Sequence, residues 1–228
     1  MKYFWFGDSW VAGDELKKNQ PAFPEIVSDC KNAECVNLGQ CGASIDDIPY
    51  EFFQNQYKLK QNDVVFFCLT ASHRISLFED GILKRIMPSE MYQKHRPHLN
   101  ASQWYKYFDN QQQRSYNRDK TINLLYFWTK QLGIKCWFAN IFTIETTSMI
   151  DATPDDCWLV PKNDCLASSI LPVIDEYNLY MSDHPDITHQ QWNLQQSAID
   201  QFIKPNWAHP NAAGHLKIAE TILSRLGQ

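Results

Sequence analysis

Apolar residues fall along this chain in two alternating patterns, which are short continuous runs and longer stretches with helical spacing. The continuous runs occupy residues 2–6, 34–38, 63–69 and 134–142 and are rich in β-branched and aromatic side chains. The run at 63–69 is continuous after Asp63, which is typical of a parallel strand that is covered on both faces. We therefore expect four strands, of which 2–6 and 63–69 are buried and 63–69 (DVVFFCL) has the strongest pattern.

Helical spacing is found at residues 10–18, 119–132 and 211–226, and each of these segments is predicted to form a helix. The positions expected to face the core are Leu124, Leu125, Trp128 and Leu132 in the second helix, with Gly133 as its C-cap, and Ile218, Ile222, Leu223 and Leu226 in the third. Strands that alternate with helices predict an α/β fold with a parallel sheet and helices on both faces. In such folds the loops at the carboxyl ends of the strands carry the chemistry.

Two segments break the alternation. Residues 75–118 are rich in Tyr, Gln, Asn, His and Arg and are predicted to form an insertion that caps the carboxyl edge of the sheet. Residues 143–205 are irregular, with clustered acids, prolines and tryptophans. Because there is no internal repeat or low-complexity linker, we expect residues 1–228 to form a single domain.

Composition narrows the class of protein. The chain has 228 residues, 44% hydrophobic and 21% charged, with a net charge of −5 and no basic run, which argues against a nucleic-acid partner. It contains no apolar run long enough to span a bilayer and no recognisable signal peptide, so neither a membrane partner nor export is expected. The seven scattered cysteines contain no CxxC pair, which favours free thiols, a cytoplasmic location and no cysteine zinc site.

The tripeptide Gly7-Asp8-Ser9 directly follows the first predicted strand. A serine at a strand end and a helix start exposes its hydroxyl beside free backbone N–H groups, which suits a nucleophile. The same position also suits a serine that merely caps the helix. The tripeptide alone favours the capping interpretation.

Two further stretches change that balance. Residues 37–44 (NLGQCGAS) follow the second strand and supply two glycines in a turn whose N–H groups are free to point at a ligand. His209 precedes Pro210 and Asn211 directly before the last predicted helix, so it lies on a rigid turn that suits a general base. His215 lies inside that helix and is expected to be structural.

Together, the ordered blocks GDS, NxGxxG and HPNxxGH resemble those of the SGNH (GDSL-type) hydrolase superfamily over nearly the whole chain, in a divergent branch similar to phage-encoded proteins. The resemblance implies a three-layer α/β/α sandwich with a parallel sheet of about five strands. It also implies that Ser9 is the nucleophile, that His209 is the base, and that the N–H groups of Ser9 and Gly42 form the oxyanion hole. No cofactor is implied.

The third block of the family, usually GxND, reads Thr70-Ala71-Ser72-His73-Arg74 here. Ser72 is therefore the predicted side-chain donor to the oxyanion, in place of an asparagine, with Thr70 as a second candidate. Asp8, Thr70 and Arg74 are predicted to contribute to substrate binding. Arg74 is expected either to bind an anionic group of the substrate or, more simply, to pair with an acid of the protein.

The acid of the family's DxxH block is also replaced, because Asn206 stands three residues before His209. An amide orients an imidazole but adds no charge, and in a serine protease that change costs about 10⁴ in turnover. A literal DxxH occurs at residues 186–189 without the following Pro-Asn, and ranks below His209. Asp183 or Asp186 is a candidate replacement acid, and a Ser-His dyad held by a backbone carbonyl is the other possibility.

The sequence leaves the substrate open. Asp183, His184, Asp186 and His189 have ligand-like spacing, but no further ligand is indicated and no metal is expected. The aromatic residues of the insertion, Trp104, Tyr105, Tyr107, Phe108 and Tyr116, suit an acetylated glycan and equally suit packing onto the sheet. The leading hypothesis is a serine hydrolase of carboxylic esters, such as a glycan O-deacetylase. The alternative is a non-catalytic protein on the same scaffold, for glycan binding or assembly in a phage particle.

Overall fold

A computed structural model describes residues 1–70, 74–79, 82–86, 111–142, 153–162, 164–170 and 209–227. Within them the strands are β1 (Lys2–Phe6), β2 (Glu34–Asn37), β3 (Val64–Leu69), β4 (Ile75–Glu79), β5 (Ile82–Ile86) and β6 (Lys135–Asn140). The helices are α1 (Ser9–Ala12), α2 (Phe23–Cys30), α3 (Asp47–Asn55), α4 (Gln111–Gln131) and α5 (Ala212–Leu226). Short 3₁₀ turns lie at Gln56–Lys58, Asp155–Cys157 and Leu166–Ser169.

The central sheet has the strand order β2-β1-β3-β6, and every neighbouring pair is parallel. All four strands predicted from the apolar runs are confirmed to within two residues at each end. Where about five strands were expected, the described residues contain four in this sheet. Strands β4 and β5 pair separately as an antiparallel hairpin at the start of the predicted insertion.

The sheet is covered on both faces, which explains its continuous apolar strands. On one face, alternate strand residues such as Trp5 and Phe66 pack with α2 and α5 through Phe23, Val27 and Ile218. On the other face, the intervening residues pack with α3 and α4; this second cluster includes Phe4, Phe6, Phe67, Phe52, Ile122 and Leu125. The protein is therefore a three-layer α/β/α sandwich.

The predicted helix at 10–18 is wrong in length. Helix α1 ends at Ala12, because Gly13 adopts a left-handed conformation (φ 75°) and donates its N–H to the carbonyl of Ser9. Helices α2 and α3 were not predicted from the sequence. Both carry prolines and aromatic residues near their starts, which obscured the helical spacing.

Helix α4 corrects two further predictions. It begins at Gln111, eight residues before the predicted start, so residues 111–118 of the predicted insertion are helical. Its predicted core face is right for Leu125, which is fully buried, and wrong for Leu124, Trp128 and Leu132, which are exposed. The buried residues of the helix are mostly polar and comprise Ser115, Arg118, Asp119, Thr121, Ile122, Leu125 and Thr129. Because this buried face contains Arg and Ser, the spacing of hydrophobic residues in the sequence does not identify it.

The C-terminal helix agrees with its prediction. Ile218 and Ile222 are fully buried, and Leu223 and Leu226 pack against the same cluster. Asn211 caps the helix by accepting the N–H of Gly214 at 3.0 Å. Among the described residues, no helix combines the length and apolarity that a membrane span needs.

Candidate active site

Ser9 lies at the point where the sheet order reverses. From β1 the chain passes to β2 on one side and then to β3 on the other, and ligands of open α/β sheets bind at the carboxyl ends of strands at such a point. Gly7 allows the turn between β1 and α1 to pack tightly, because a Cβ there would lie 2.4 Å from Val11 Cγ2 and 2.9 Å from the carbonyl oxygen of Cys68. The nucleophile candidate is thereby held against the end of β3.

Asp8, not Ser9, caps helix α1. Its Oδ1 accepts the backbone N–H of Trp10 at 3.0 Å, and Ser9 is the first residue inside the helix. Asp8 Oδ2 accepts the hydroxyl of Thr70 at 2.8 Å and Nη1 of Arg74 at 2.9 Å. Asp8 and Thr70 are both completely buried and bonded to each other, so they support the turn that carries Ser9, and their role in substrate binding stays a prediction.

The Asp8 carboxyl lies in an unusual electrostatic setting. Complete burial raises its pKa, while Arg74, the Thr70 hydroxyl, the Trp10 N–H and His209 all act in the opposite direction. Arg74 is 16% exposed and forms the ion pair with Asp8. Of the two roles considered for Arg74, pairing with an acid of the protein is the one observed.

The side chains of Ser9 and His209 meet although they are 200 residues apart. His209 Nε2 lies 3.0 Å from Ser9 Oγ, which is hydrogen-bond distance. The ring is carried by the turn directly before α5, whose packing on α2 fixes its position. With the ring proton on Nδ1, Nε2 accepts the serine hydroxyl, which is the arrangement that a general base needs.

The outer nitrogen of His209 faces Glu15. His209 Nδ1 lies 3.5 Å from Glu15 Oε1, and the two side chains are 17% and 27% exposed. The direction between them does not meet hydrogen-bond geometry, and within the described residues Nδ1 has no hydrogen-bond partner. Glu15 was not singled out from the sequence, since it belongs to no motif.

The glycine-containing loop after β2 lies directly against α1. Asn37 links them, because its Nδ2 donates to the carbonyl of Val11 at 2.7 Å and its Oδ1 accepts the N–H of Gly39 at 3.0 Å. A Cβ on Gly39 would lie 2.4 Å from the backbone nitrogen of Ala12, so only glycine fits there. Gly42 has a left-handed conformation with φ of 72°.

The backbone N–H groups of Ser9 and Gly42 make no hydrogen bond to any of the described residues. Donors left unpaired at a strand end are available to an anion. Arg74 closes the same side of the site, with Nη1 3.4 Å from the carbonyl oxygen of Ala43 and its guanidinium carbon 5.9 Å from the centre of the Phe142 ring.

Several predicted residues lie outside the described ranges. They are Ser72, Asn206, Asp183, His184, Asp186, His189 and four of the five insertion aromatics. The fifth, Tyr116, is an exposed residue of α4. Among the described residues, no group of three or more His, Cys, Asp or Glu side chains is arranged to hold a metal ion.

Solved structures with a similar fold include proteins named for the GDSL motif. A member of the lipolytic G-D-S-L family from Veillonella parvula is 16% identical, covers 98% of this chain and 97% of its own, and has a TM-score of 0.46. A putative lipolytic protein of the same family from Desulfitobacterium hafniense is 10% identical over 98% of both chains, with a TM-score of 0.46. A catalytic mutant of an acetylxylan esterase from Geobacillus stearothermophilus is 13% identical, covers 100% of this chain and 94% of its own, and has a TM-score of 0.49.

No family model matches the chain, and no curated protein matches it. At the identities of the solved structures the likeness concerns the fold alone, and no residue's role is taken from them. The roles of Ser9, Gly42 and His209 therefore rest on the sequence blocks and on the geometry of this site.

Proposed function

We propose that the protein is a serine esterase of the SGNH type, which hydrolyses carboxylic esters through an acyl-enzyme. The observation that carries the proposal is the 3.0 Å contact between Ser9 Oγ and His209 Nε2 at the carboxyl edge of a parallel sheet. A nucleophile within hydrogen-bond distance of a base is the arrangement required for covalent catalysis of acyl transfer.

In the first half-reaction Ser9 Oγ attacks the ester carbonyl carbon, and its proton passes to His209 Nε2. The carbonyl oxygen becomes an oxyanion, for which the N–H groups of Ser9 and Gly42 and the hydroxyl of Ser72 are the proposed donors. Collapse of this intermediate breaks the bond to the leaving alcohol. The alkoxide takes the proton from His209 Nε2, and Ser9 is left acylated.

In the second half-reaction water attacks the acyl carbon while His209 Nε2 takes one of its protons. The second tetrahedral intermediate collapses with release of Ser9 Oγ, which recovers its proton from the imidazolium. The products are a carboxylic acid and an alcohol. No redox or metal step is needed for this balance.

The proposed substrate class is an acetyl ester on a glycan. Its support is the aromatic and amide-rich sequence of residues 75–118, together with the exposed ring of Tyr116 on α4. Aromatic faces stack on the C–H surfaces of sugars, and amides reach their hydroxyl groups. Hydrolysis of acetylated oligosaccharides should then exceed that of a simple acetyl ester in kcat/KM.

The direct test is hydrolysis of p-nitrophenyl acetate by the wild type, Ser9→Ala and His209→Gln. Ser224→Ala is the matched control, because it removes a serine hydroxyl from the exposed face of α5. We expect the first two variants to lose at least about 10³-fold in kcat and the control to keep full activity. Equal rates for wild type and Ser9→Ala would exclude Ser9 as the nucleophile.

A binding protein without catalysis is the second candidate. The observation that favours it is that His209 Nδ1 makes no hydrogen bond within the described part of the chain. A fluorophosphonate probe separates the two classes, because it labels an activated serine without needing the natural substrate. Labelling of Ser9 in the wild type but not in His209→Gln supports the esterase. Folded protein that stays unlabelled from pH 6 to 9 supports the binding role.

A further inference from the structure

We infer that Glu15 is the positioning acid of this site: its carboxylate holds the ring of His209 in the productive orientation and stabilises the imidazolium that forms during turnover. The inference rests on the proposed function for its role in catalysis. It replaces the acid that the sequence pattern places at position 206, where this chain has an asparagine.

The first support is the contact itself. Glu15 Oε1 is 3.5 Å from His209 Nδ1, on the side of the ring opposite to Ser9. A rotation of the carboxylate that shortens this distance by about half an ångström gives a normal charge-assisted hydrogen bond. Hydrogen bonds of catalytic groups are often long in ligand-free sites and tighten when substrate binds.

The backbone at Glu15 supplies the second support. Glu15 has φ of 68°, a left-handed conformation that is uncommon outside glycine, asparagine and aspartate and costs on the order of 1 kcal/mol. The other described non-glycine residue with positive φ is Asn32, which belongs to that tolerant group. A turn that needed only this conformation would be better served by glycine or asparagine, so the backbone alone does not explain a glutamate at this position.

The turn that carries Glu15 is tied to the nucleophile. The N–H of Asp14 donates to the carbonyl of Ser9 at 3.0 Å, and the N–H of Leu16 donates to the carbonyl of Gly13 at 3.1 Å. Two left-handed residues, Gly13 and Glu15, reverse the chain within this turn. Ser9 and Glu15 are thus fixed relative to each other by one short helix and its final turn, and His209 lies between them.

Asp8 is the other carboxylate whose charge acts on His209, and it is less suited to the role. Both of its oxygens are already used, by the N–H of Trp10 and by Thr70 and Arg74. The positive charge of Arg74 also offsets its negative charge. Within the described ranges, Glu15 is the acid that forms an ion-pair contact with Nδ1, at 3.5 Å.

The test uses the whole protein and three variants: Glu15→Gln, which removes the charge at constant size, Asn206→Ala, and Glu220→Gln as the matched control on the exposed face of α5. The titration of the His209 imidazole is followed by NMR and assigned with His209→Gln. In Glu15→Gln the midpoint should fall, because the imidazolium loses its counter-charge. Asn206→Ala and Glu220→Gln should leave it within about 0.2 units, below the effect of even a weak ion pair.

The catalytic readout is kcat/KM on p-nitrophenyl acetate across pH. Glu15→Gln should lose roughly 10- to 10³-fold, mostly in kcat, with the acid limb moved to lower pH. Glu15→Asp should recover part of the activity. A midpoint that does not move in Glu15→Gln, or that moves further in Asn206→Ala, overturns the inference. Since the NMR titration needs no turnover, a wild type without esterase activity would refute the proposed function and leave this test intact.

Discussion

Asp8 and Ser9 are neighbours that divide two tasks between them. Asp8 caps helix α1 through the N–H of Trp10, and the hydroxyl of Ser9 is thereby left to His209. A serine that served as the cap would have its oxygen turned toward the helix N–H groups. The stability of the turn therefore depends on Asp8 and its proposed chemistry on Ser9, so that a substitution can change one without the other.

We therefore expect opposite effects from Asp8→Ala and Ser9→Ala. Asp8→Ala removes a cap and leaves Arg74 without its acid, which should lower the free energy of unfolding by about 2–4 kcal/mol. Ser9→Ala should change it by no more than about 0.5 kcal/mol while abolishing ester hydrolysis, because no hydrogen bond of the turn uses its hydroxyl. Urea unfolding of both variants measures the difference. A larger loss in Ser9→Ala would mean that its hydroxyl has a structural role.

Substitutions of the two histidines in the C-terminal segment should also have opposite effects on stability and activity. His215 is fully buried, and its Nδ1 accepts the N–H of Phe23 at 3.2 Å. His215→Leu leaves that N–H unpaired and should cost about 1–3 kcal/mol, with the folded fraction still active. His209→Gln should do the reverse, with activity lost and stability kept. Thermal unfolding together with the rate per folded molecule distinguishes the two patterns.

Gly39→Ala tests how closely the loop after β2 approaches helix α1. The added Cβ would meet backbone atoms of Ala12 and Val11 at 2.4 and 2.8 Å, so the loop must shift as a unit. We expect a loss of about 1–3 kcal/mol and a fall in kcat, because the proposed oxyanion donor Gly42 lies on the same loop. Gly133→Ala is the control, since its Cβ would meet nothing within 4 Å and only its φ of 68° is strained. It should lower stability and leave kcat of the folded protein unchanged.

Cys41 offers a test of the electrostatics at the mouth of the site. A hydrogen bond to Asp14, together with burial and the charge of that acid, raises the pKa of this exposed thiol to about 11. A raised pKa means less thiolate at any pH below it, so alkylation by iodoacetamide at pH 8 should be slow and should accelerate up to about pH 11.

Asp14→Asn removes the charge that holds the Cys41 thiol protonated. The rate at pH 8 should rise roughly tenfold or more, since each unit by which the pKa falls gives a tenfold increase in thiolate. Peptide mass spectrometry reads Cys41 separately from the other exposed thiol, Cys30, whose rate should not change. An unchanged rate at Cys41 would show that Asp14 does not control it.

The sequence predicted the sheet better than the helices, for a physical reason. Strands buried on both faces are apolar at every position, as in β3, so their pattern survives without knowledge of the partners. Helix α4 buries Arg118 and Thr129 and exposes Leu124 and Trp128, so its hydrophobic pattern pointed to the wrong face. Only the packed structure shows which polar side chains find partners inside.

The residues of the candidate site also differ in whether they could be predicted from the sequence. Ser9, Gly42 and His209 were found because they lie in short blocks whose order and spacing can be compared with a family. Glu15 belongs to none of these sequence blocks. Its contact with His209 depends on a left-handed backbone conformation, which the sequence does not predict for a glutamate. The support of Asp8 by Thr70 was equally hidden, because it joins residues 62 apart in the chain.

The contacts Ser9–His209 and Phe23–His215 join the two ends of the chain across 200 and 192 residues. The four strands of the sheet within the described ranges all precede these histidines, so that part of the scaffold is synthesised before the proposed base. The last helix must then dock on α2 to bring His209 to Ser9. A chain in which α5 has not docked on α2 should therefore lack the proposed esterase activity even when the sheet has formed.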